Sequence, residues 1–462
     1  VSGSSRRAAA RMCAAVLVAG AGIGVPAPAS AVRPPVVEPG PPPAGPPLPP
    51  QPSELKALCG VPTGVVAGTD FRKQTSADAM LNYRSAWRFS RGAGQKVAVI
   101  DTGVNRHPRL HALEGGGDYV STTDGLADCD AHGTLVAGLI AAAPDSDDSF
   151  AGVAPDAAIL SIRQNSSVYG PVGGANNAND PNATSTGYGD TATLALAVTR
   201  AVDLGATVIN ISEAACAAVG TGLDDAGLGR AVRYAFDRNV VVVAAAGNVS
   251  AQSRCASQNS QNDPNQPMTQ GWDTVQTIAT PAWFSDYVLA VGAVTTSALP
   301  ADFSLHGPWL AVAAPGENIT SLDANGPGLV DAELGQRGLM PLNGTSFAAP
   351  LVSGVVALIR SRFPQLTAQQ VMELVKRTAH TPGDGPNPAT GYGVVDPVAA
   401  LTYQLPPWQT GTGSERAASI GRGAQPDSRK EHARTVVFGV TAASLAVMGA
   451  AAALAAARRR SR

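Results

Sequence analysis

Charge is scarce in this sequence. Lys and Arg number 33 and Asp and Glu 35 among 462 residues, and the net charge is −2. That balance carries no electrostatic footprint for nucleic acid, so no nucleic-acid partner is expected. Cysteine is sparse as well, with five residues at Cys13, Cys59, Cys129, Cys216 and Cys255. No two of them form a C-x-x-C pair, which argues against a zinc knuckle or a redox motif. The tripeptide D-T-G occurs once, at 101–103, with no second D-T-G or D-S-G. There is no convincing aspartate-rich loop for calcium, and neither a metal nor a cofactor is expected. Aromatic residues make up only 5% of the chain, whereas glycine (50) and proline (36) are plentiful, and much of the proline sits in one place.

Composition divides the chain into unlike parts. Residues 1–31 combine Arg6, Arg7 and Arg11 with a short apolar run and the A-x-A triplet 29–31, the make-up of a secretory signal. Export would remove Cys13 and leave four cysteines in an oxidising compartment, read as two structural disulfides with three connectivities open. Residues 32–52, including RPPVVEPGPPPAGPPLPPQP, form neither helix nor ladder and read as an extended spacer. A short extension of ordinary composition follows at 53–95. From 96 to 404, valine-rich runs such as VAVI, AILSIR, ATVINIS, VVVVAAAGN, VLAVGAV and WLAVAAPG alternate with helical stretches at 133–143, 191–204, 223–239, 346–363 and 367–378. This α/β alternation predicts a mostly parallel sheet covered on both faces. The polar insertion at 165–190 reads as a mobile surface loop. Residues 405–434 read as a flexible linker. The uncharged stretch 435–457 is long enough to span a bilayer, and a basic tail follows at 458–462.

Four local patterns carry chemistry. In VAVIDTGV (97–104) a buried strand ends on Asp101, a carboxylate costly to bury unless paired. Asp101 can be a turn residue, half of an aspartic-protease dyad, or the acid that orients a histidine. In DAHGTLVAGLIAA (130–142), His132 opens an apolar helical run; alone it could equally be a capping or surface residue. In NGTSFAAPLVSGVVALIR (343–360), Gly344 allows an unusual turn and Ser346 sits at the positive end of a helix, where a backbone N–H is available to an oxyanion. Pro350 falls in or just after the first turn. In VVVVAAAGNVS (240–250), a strand delivers Asn248 after Gly247, either as a turn or as an amide donor.

The order Asp101, His132, Asn248, Ser346, each at a strand end or helix start, resembles the subtilases over roughly 97–404. With no second D-T-G or D-S-G, the aspartic-dyad reading falls. The resemblance implies the three-layer subtilisin-like sandwich, with Ser346 as nucleophile, His132 as general base and Asp101 as its orienting acid. Asn248 and the Ser346 N–H would form the oxyanion hole. Ser212 and Gly247 would line the substrate, while Asp128 and Asp130 would line the mouth of the cleft. One departure stands out. Where subtilases continue with Leu-Gly after the strand, this chain has Glu213 and Ala214, so the substrate rim is altered.

Only about 65 residues separate 31 from 96, too few for a removable folding domain after the proline tract. The signal, the proline-rich start, the short extension, the exported cysteines and the C-terminal anchor resemble the mycosins, membrane-anchored subtilases of type VII secretion. That resemblance implies pairs Cys59–Cys129 and Cys216–Cys255 and an extension wrapped on the catalytic domain. Its implied partners are protein substrates exported by type VII secretion, subunits of the secretion membrane complex, and the membrane. The catalytic domain would stand outside and the basic tail in the cytoplasm. A structural role in the secretion complex, with proteolysis secondary, is the alternative.

Overall fold

The valine-rich runs form the strands of one sheet, described in a computed structural model covering residues 32–174, 180–250, 254–259, 268–335 and 338–403, with part of 450–459. The strands are β1 Lys96–Asp101, β2 Leu113–Asp118, β3 Ala158–Arg163, β4 Val208–Ile211, β5 Val241–Ala245, β6 Val288–Val294 and β7 Leu310–Pro315. Their order is β7-β6-β5-β4-β1-β3-β2, and every neighbouring pair is parallel. The chain leaves β1 toward β2 and β3 on one side and reaches β4 on the other. The carboxyl end of β1 therefore opens onto the switch-point crevice where α/β sheets place their sites.

Helices cover both faces: α1 His132–Ala141, α2 Thr191–Asp203, α3 Ala226–Asp237, α4 Thr345–Arg362 and α5 Ala368–Thr378. Ala98, Ile100, Ile209 and Ile211 pack against Leu194 and Val198 of α2 and Leu228 and Val232 of α3. Side chains alternate along a strand, so Asn210 points to the opposite face. There its Oδ1 accepts the Ser353 hydroxyl of α4 at 2.8 Å. Every residue of α4 from Thr345 to Arg360 is buried, which explains why its sequence is apolar on all sides.

β2 is not legible by periodicity. Its sequence is LEGGGD, and its register with β3 shifts between Gly115 and Gly117. A methyl on Gly116 would meet Ile162 at 2.6 Å, so glycine lets this edge strand close on its neighbour.

The proline-rich tract is extended, but it is no free spacer. Val37 is buried with Phe284 and α3, the Pro41 carbonyl accepts Arg230 at 3.2 Å, and the Gln51 carbonyl accepts the Tyr188 hydroxyl at 2.7 Å. Farther on, Ser53–Leu55 pairs with Tyr169–Pro171, and Thr63–Gly64 pairs with Ala332–Gly335. The segment 165–190 is likewise anchored at both ends. Ser166, Val168, Ala183, Thr184 and Tyr188 are buried, and Asp130 accepts hydrogen bonds from both Ser166 and Ser167.

Two disulfides close these arrangements, Cys59–Cys129 and Cys216–Cys255. The signal expected at 1–31 and the linker at 405–434 lie outside the described residues. So does the span at 435–457, apart from helical residues 450, 451, 453 and 455–457. Among the described residues no helix is long and apolar enough to cross a membrane.

Cys59 and Cys129 are 70 positions apart, and a tie of that length typically contributes about 2–5 kcal/mol. The Cys59→Ser/Cys129→Ser double variant should lose that much in denaturant unfolding. Limited proteolysis should then cut first within 53–75, and uniform protection of that segment would contradict the tie.

Candidate active site

Two loops meet at the end of β1. Asp101, fully buried, accepts its neighbour's Thr102 N–H at 2.8 Å and lies 2.8 Å from His132 Nδ1. A carboxylate only accepts, so Nδ1 carries a proton, and in the neutral ring Nε2 keeps a lone pair. Thr102 and Asp128 hold the loops together. The Thr102 hydroxyl accepts the Gly133 N–H at 2.9 Å and donates to Asp128 at 2.9 Å, while Asp128 also accepts the Thr134 N–H and hydroxyl at 2.9 and 2.6 Å. Asp128 therefore sits inside the junction and not at the mouth of the cleft as expected. Burial pushes its carboxyl up to about 6. Asp130 does line the cleft. A methyl on Gly133 would fall 2.0 Å from the Gly103 carbonyl oxygen, which is why histidine is followed by glycine.

The other half is built by α4 and the end of β5. Asn248 Oδ1 accepts both the N–H and the hydroxyl of Thr345, each at 2.9 Å. That turns the Nδ2 edge toward Ser346: a methyl on Gly344 would meet Ser346 Oγ at 2.9 Å and Asn248 Nδ2 at 3.4 Å. Gly344 has φ 164°, ordinary extended backbone, so the unusual turn expected there is absent; glycine serves to clear space beside the serine. The Phe347 ring lies 5.5 Å from the His132 ring, which brings the start of α4 against the imidazole.

Pro350 explains a further contact. It has no N–H for the Ser346 carbonyl four residues earlier, and the Ser212 hydroxyl fills that role at 2.7 Å. Asn210 Nδ2 in turn donates to Ser212 Oγ at 2.9 Å. The Ser212 side chain, expected at the substrate, is thus committed to α4, although the residue lines the cleft. Gly247 also lines it. A methyl there would meet the sulfurs of Cys255 and Cys216 at 3.0 and 3.3 Å.

The cleft, of ≈ 440 Å³, contains a second acid beside the imidazole. Glu213 Oε1 lies 3.5 Å from His132 Nδ1. Burial holds the Glu213 carboxyl well above the usual range; His132 and Arg254 oppose this, and Asp101 and Asp130 add to it. For His132, burial favours the neutral ring, but Asp101, Glu213 and Asp128 together overcome it and raise its pKa. Asp101, His132 and Glu213 offer three ligand atoms within 4.8 Å of one another. Thr102 and Thr345 had no place among the expected site residues, and Asp128 was expected only at the mouth of the cleft. For the two threonines the signal was local, since each is the middle residue of its triplet, D-T-G or G-T-S, whereas Asp128 stands four positions before His132.

Fold and site together have the layout of subtilisin-type serine peptidases. The sequence profile of the subtilase family matches residues 92–393, and the chain belongs to that family. Within it, the chain falls among the mycosins. It is 47% identical over 401 residues to Mycosin-4 of Mycobacterium tuberculosis, covering 86% of this chain and 84% of that one. The MycP3 protease from the type VII (ESX-3) secretion system superposes with TM-score 0.75 at 46% identity, covering 81% of this chain and 100% of that one. A chain of the intact ESX-5 inner membrane complex matches with TM-score 0.73 at 41% identity, covering 92% of this chain and 100% of that one.

Gly133→Ala should drive the D-T-G and H-G-T loops apart at a cost of about 1–3 kcal/mol or more. Turnover should collapse well below what the shift in melting temperature accounts for. A variant with near-normal turnover would contradict the tight junction.

Proposed function

We propose that this chain is a membrane-anchored serine endopeptidase that cleaves a few specific proteins exported by a type VII secretion system. The observation that carries the reading is the 2.8 Å contact of Asp101 Oδ1 with His132 Nδ1, with the start of α4 packed against the same ring. In this reading Ser346 Oγ attacks the scissile carbonyl. His132 Nε2 takes the hydroxyl proton and returns it to the leaving amine, while Asp101 holds the ring and stabilises its charged form. Asn248 Nδ2 and the Ser346 N–H receive the developing oxyanion. The stretch 435–457 anchors the chain, with the catalytic domain outside the membrane.

A second role is supported by the match to a chain within the ESX-5 inner membrane complex: the protein also stabilises its secretion complex. Ser346→Ala separates the two. It should abolish fluorophosphonate labelling and substrate cleavage; if secretion persists, the structural role stands apart from catalysis. Asn248→Ala should retain labelling but lower kcat by about 10²–10³, the cost of one lost oxyanion donor known from subtilisin itself.

The pH profile carries its own prediction. His132 must be neutral to accept a proton, and the carboxylates of Asp101, Glu213 and Asp128 all favour its charged form. The rising limb of kcat/KM should therefore lie above the ordinary histidine range. Glu213→Gln removes one of those charges, so the limb should move to lower pH. A limb that stays in place would deny Glu213 any electrostatic hold on the ring.

A further inference from the structure

Four carboxylate- or guanidinium-bearing residues line the cleft: Asp130, Glu213, Glu333 and Arg254. Three of these are acids, and their situations differ. Asp130 is already satisfied by Ser166 and Ser167. Glu333 belongs to the strand Ala332–Gly335, where it is exposed and paired in register with Thr63. Arg254 directs its guanidinium to the carbonyls of Ala183 and Ser185, the latter at 2.6 Å. Glu213 is the acid beside the reacting groups, and the cation nearest it is the His132 ring itself, 3.5 Å away. Its side chain keeps 22% of its exposure, so one edge remains open to the cleft.

We propose that Glu213 is a specificity-determining residue that selects peptides bearing a lysine or arginine next to the scissile residue on its amino side. The inference rests on the serine-peptidase reading and deepens it. With the scissile carbonyl held beside Ser346 and Asn248, the preceding residues run extended past the end of β4, where residues 212–214 form the wall. Side chains of an extended segment alternate, so the one directed at His132 comes within reach of Glu213. A cationic side chain there takes the carboxylate as its partner and draws it from the imidazole. An uncharged chain of the same length leaves Glu213 on the ring and leaves a partly buried acid without a mobile cation. An acidic chain meets repulsion from Glu213 and Asp130 together.

Mixtures of three peptides test this, identical except for lysine, norleucine or glutamate at the position before the scissile residue. Competing substrates report a ratio of kcat/KM values that does not depend on the active fraction of enzyme. The intact protein should favour lysine over norleucine by about tenfold or more, and glutamate should be poorest. Glu213→Gln should bring the lysine-to-norleucine ratio close to one, Glu213→Asp should retain part of the preference, and Glu213→Lys should turn it toward glutamate. Raising ionic strength should narrow the wild-type ratio, a readout that needs no variant. Equal cleavage of the lysine and norleucine peptides by the wild type, or a wild-type ratio kept by Glu213→Gln, overturns the assignment of Glu213. Absence of any cleavage together with absence of fluorophosphonate labelling overturns the peptidase reading itself, and the specificity with it.

Discussion

A buried carboxylate must be held by donors, and the carboxyl end of β1 is organised around that demand. Asp101 has no exposed surface and gains the Thr102 N–H and the His132 ring as partners. Both partners bond Oδ1, while Oδ2 is buried without a hydrogen-bond partner, so what fixes the ring also supplies half of what the acid needs. Thr102 bonds Gly133 and Asp128, Asp128 bonds Thr134, and Gly133 lets the two loops close to backbone contact. The Cys59–Cys129 bridge adds a covalent tie directly beside Asp128. Removing the ring would leave Asp101 buried without its partner, the situation proteins tolerate least.

The helix that carries Ser346 is fastened to the same frame by a separate route. Pro350 deprives the Ser346 carbonyl of its helical donor, and a hydroxyl from the end of β4 supplies one. Ser353, Asn210 and Ser212 then form a continuous chain of hydrogen bonds from the middle of α4 to its first turn. Such a buried network, fully satisfied, sets a helix's position along its axis more sharply than apolar contact alone. Thr345 plays the matching part for Asn248, using its N–H and hydroxyl to orient the amide. The proline and the threonine next to the serine are therefore part of how Ser346 is aimed.

Legibility differed from element to element for physical reasons. β3 and β6 could be read to the residue, because AILSIR and VLAVGAV are apolar at most positions and of strand length. β2 could not, because its three glycines have no side chains to alternate. The proline tract was correctly extended, but composition says nothing of what an extended segment lies against; Val37 and Gln51 found α3 and Tyr188. Asp128 looked like a mouth residue because sequence distance from His132 does not say which way a carboxylate points. Glu213 was visible as a departure at the rim, but its approach to the imidazole was not.

By itself the sequence determined the α/β alternation, the positions of Asp101, His132, Asn248 and Ser346 at strand ends and helix starts, and the charge-poor stretches at either end. Those properties are local: they depend on apolar periodicity and on residues within a few positions of one another. Tertiary structure decided which groups meet across long separations. It placed Ser212 on the Ser346 carbonyl, the proline-rich tract against α3 and Tyr188, and Glu213 beside His132. Contacts of that kind depend on how strands order themselves in a sheet and which loops converge at its edge, and no short window of residues contains that information.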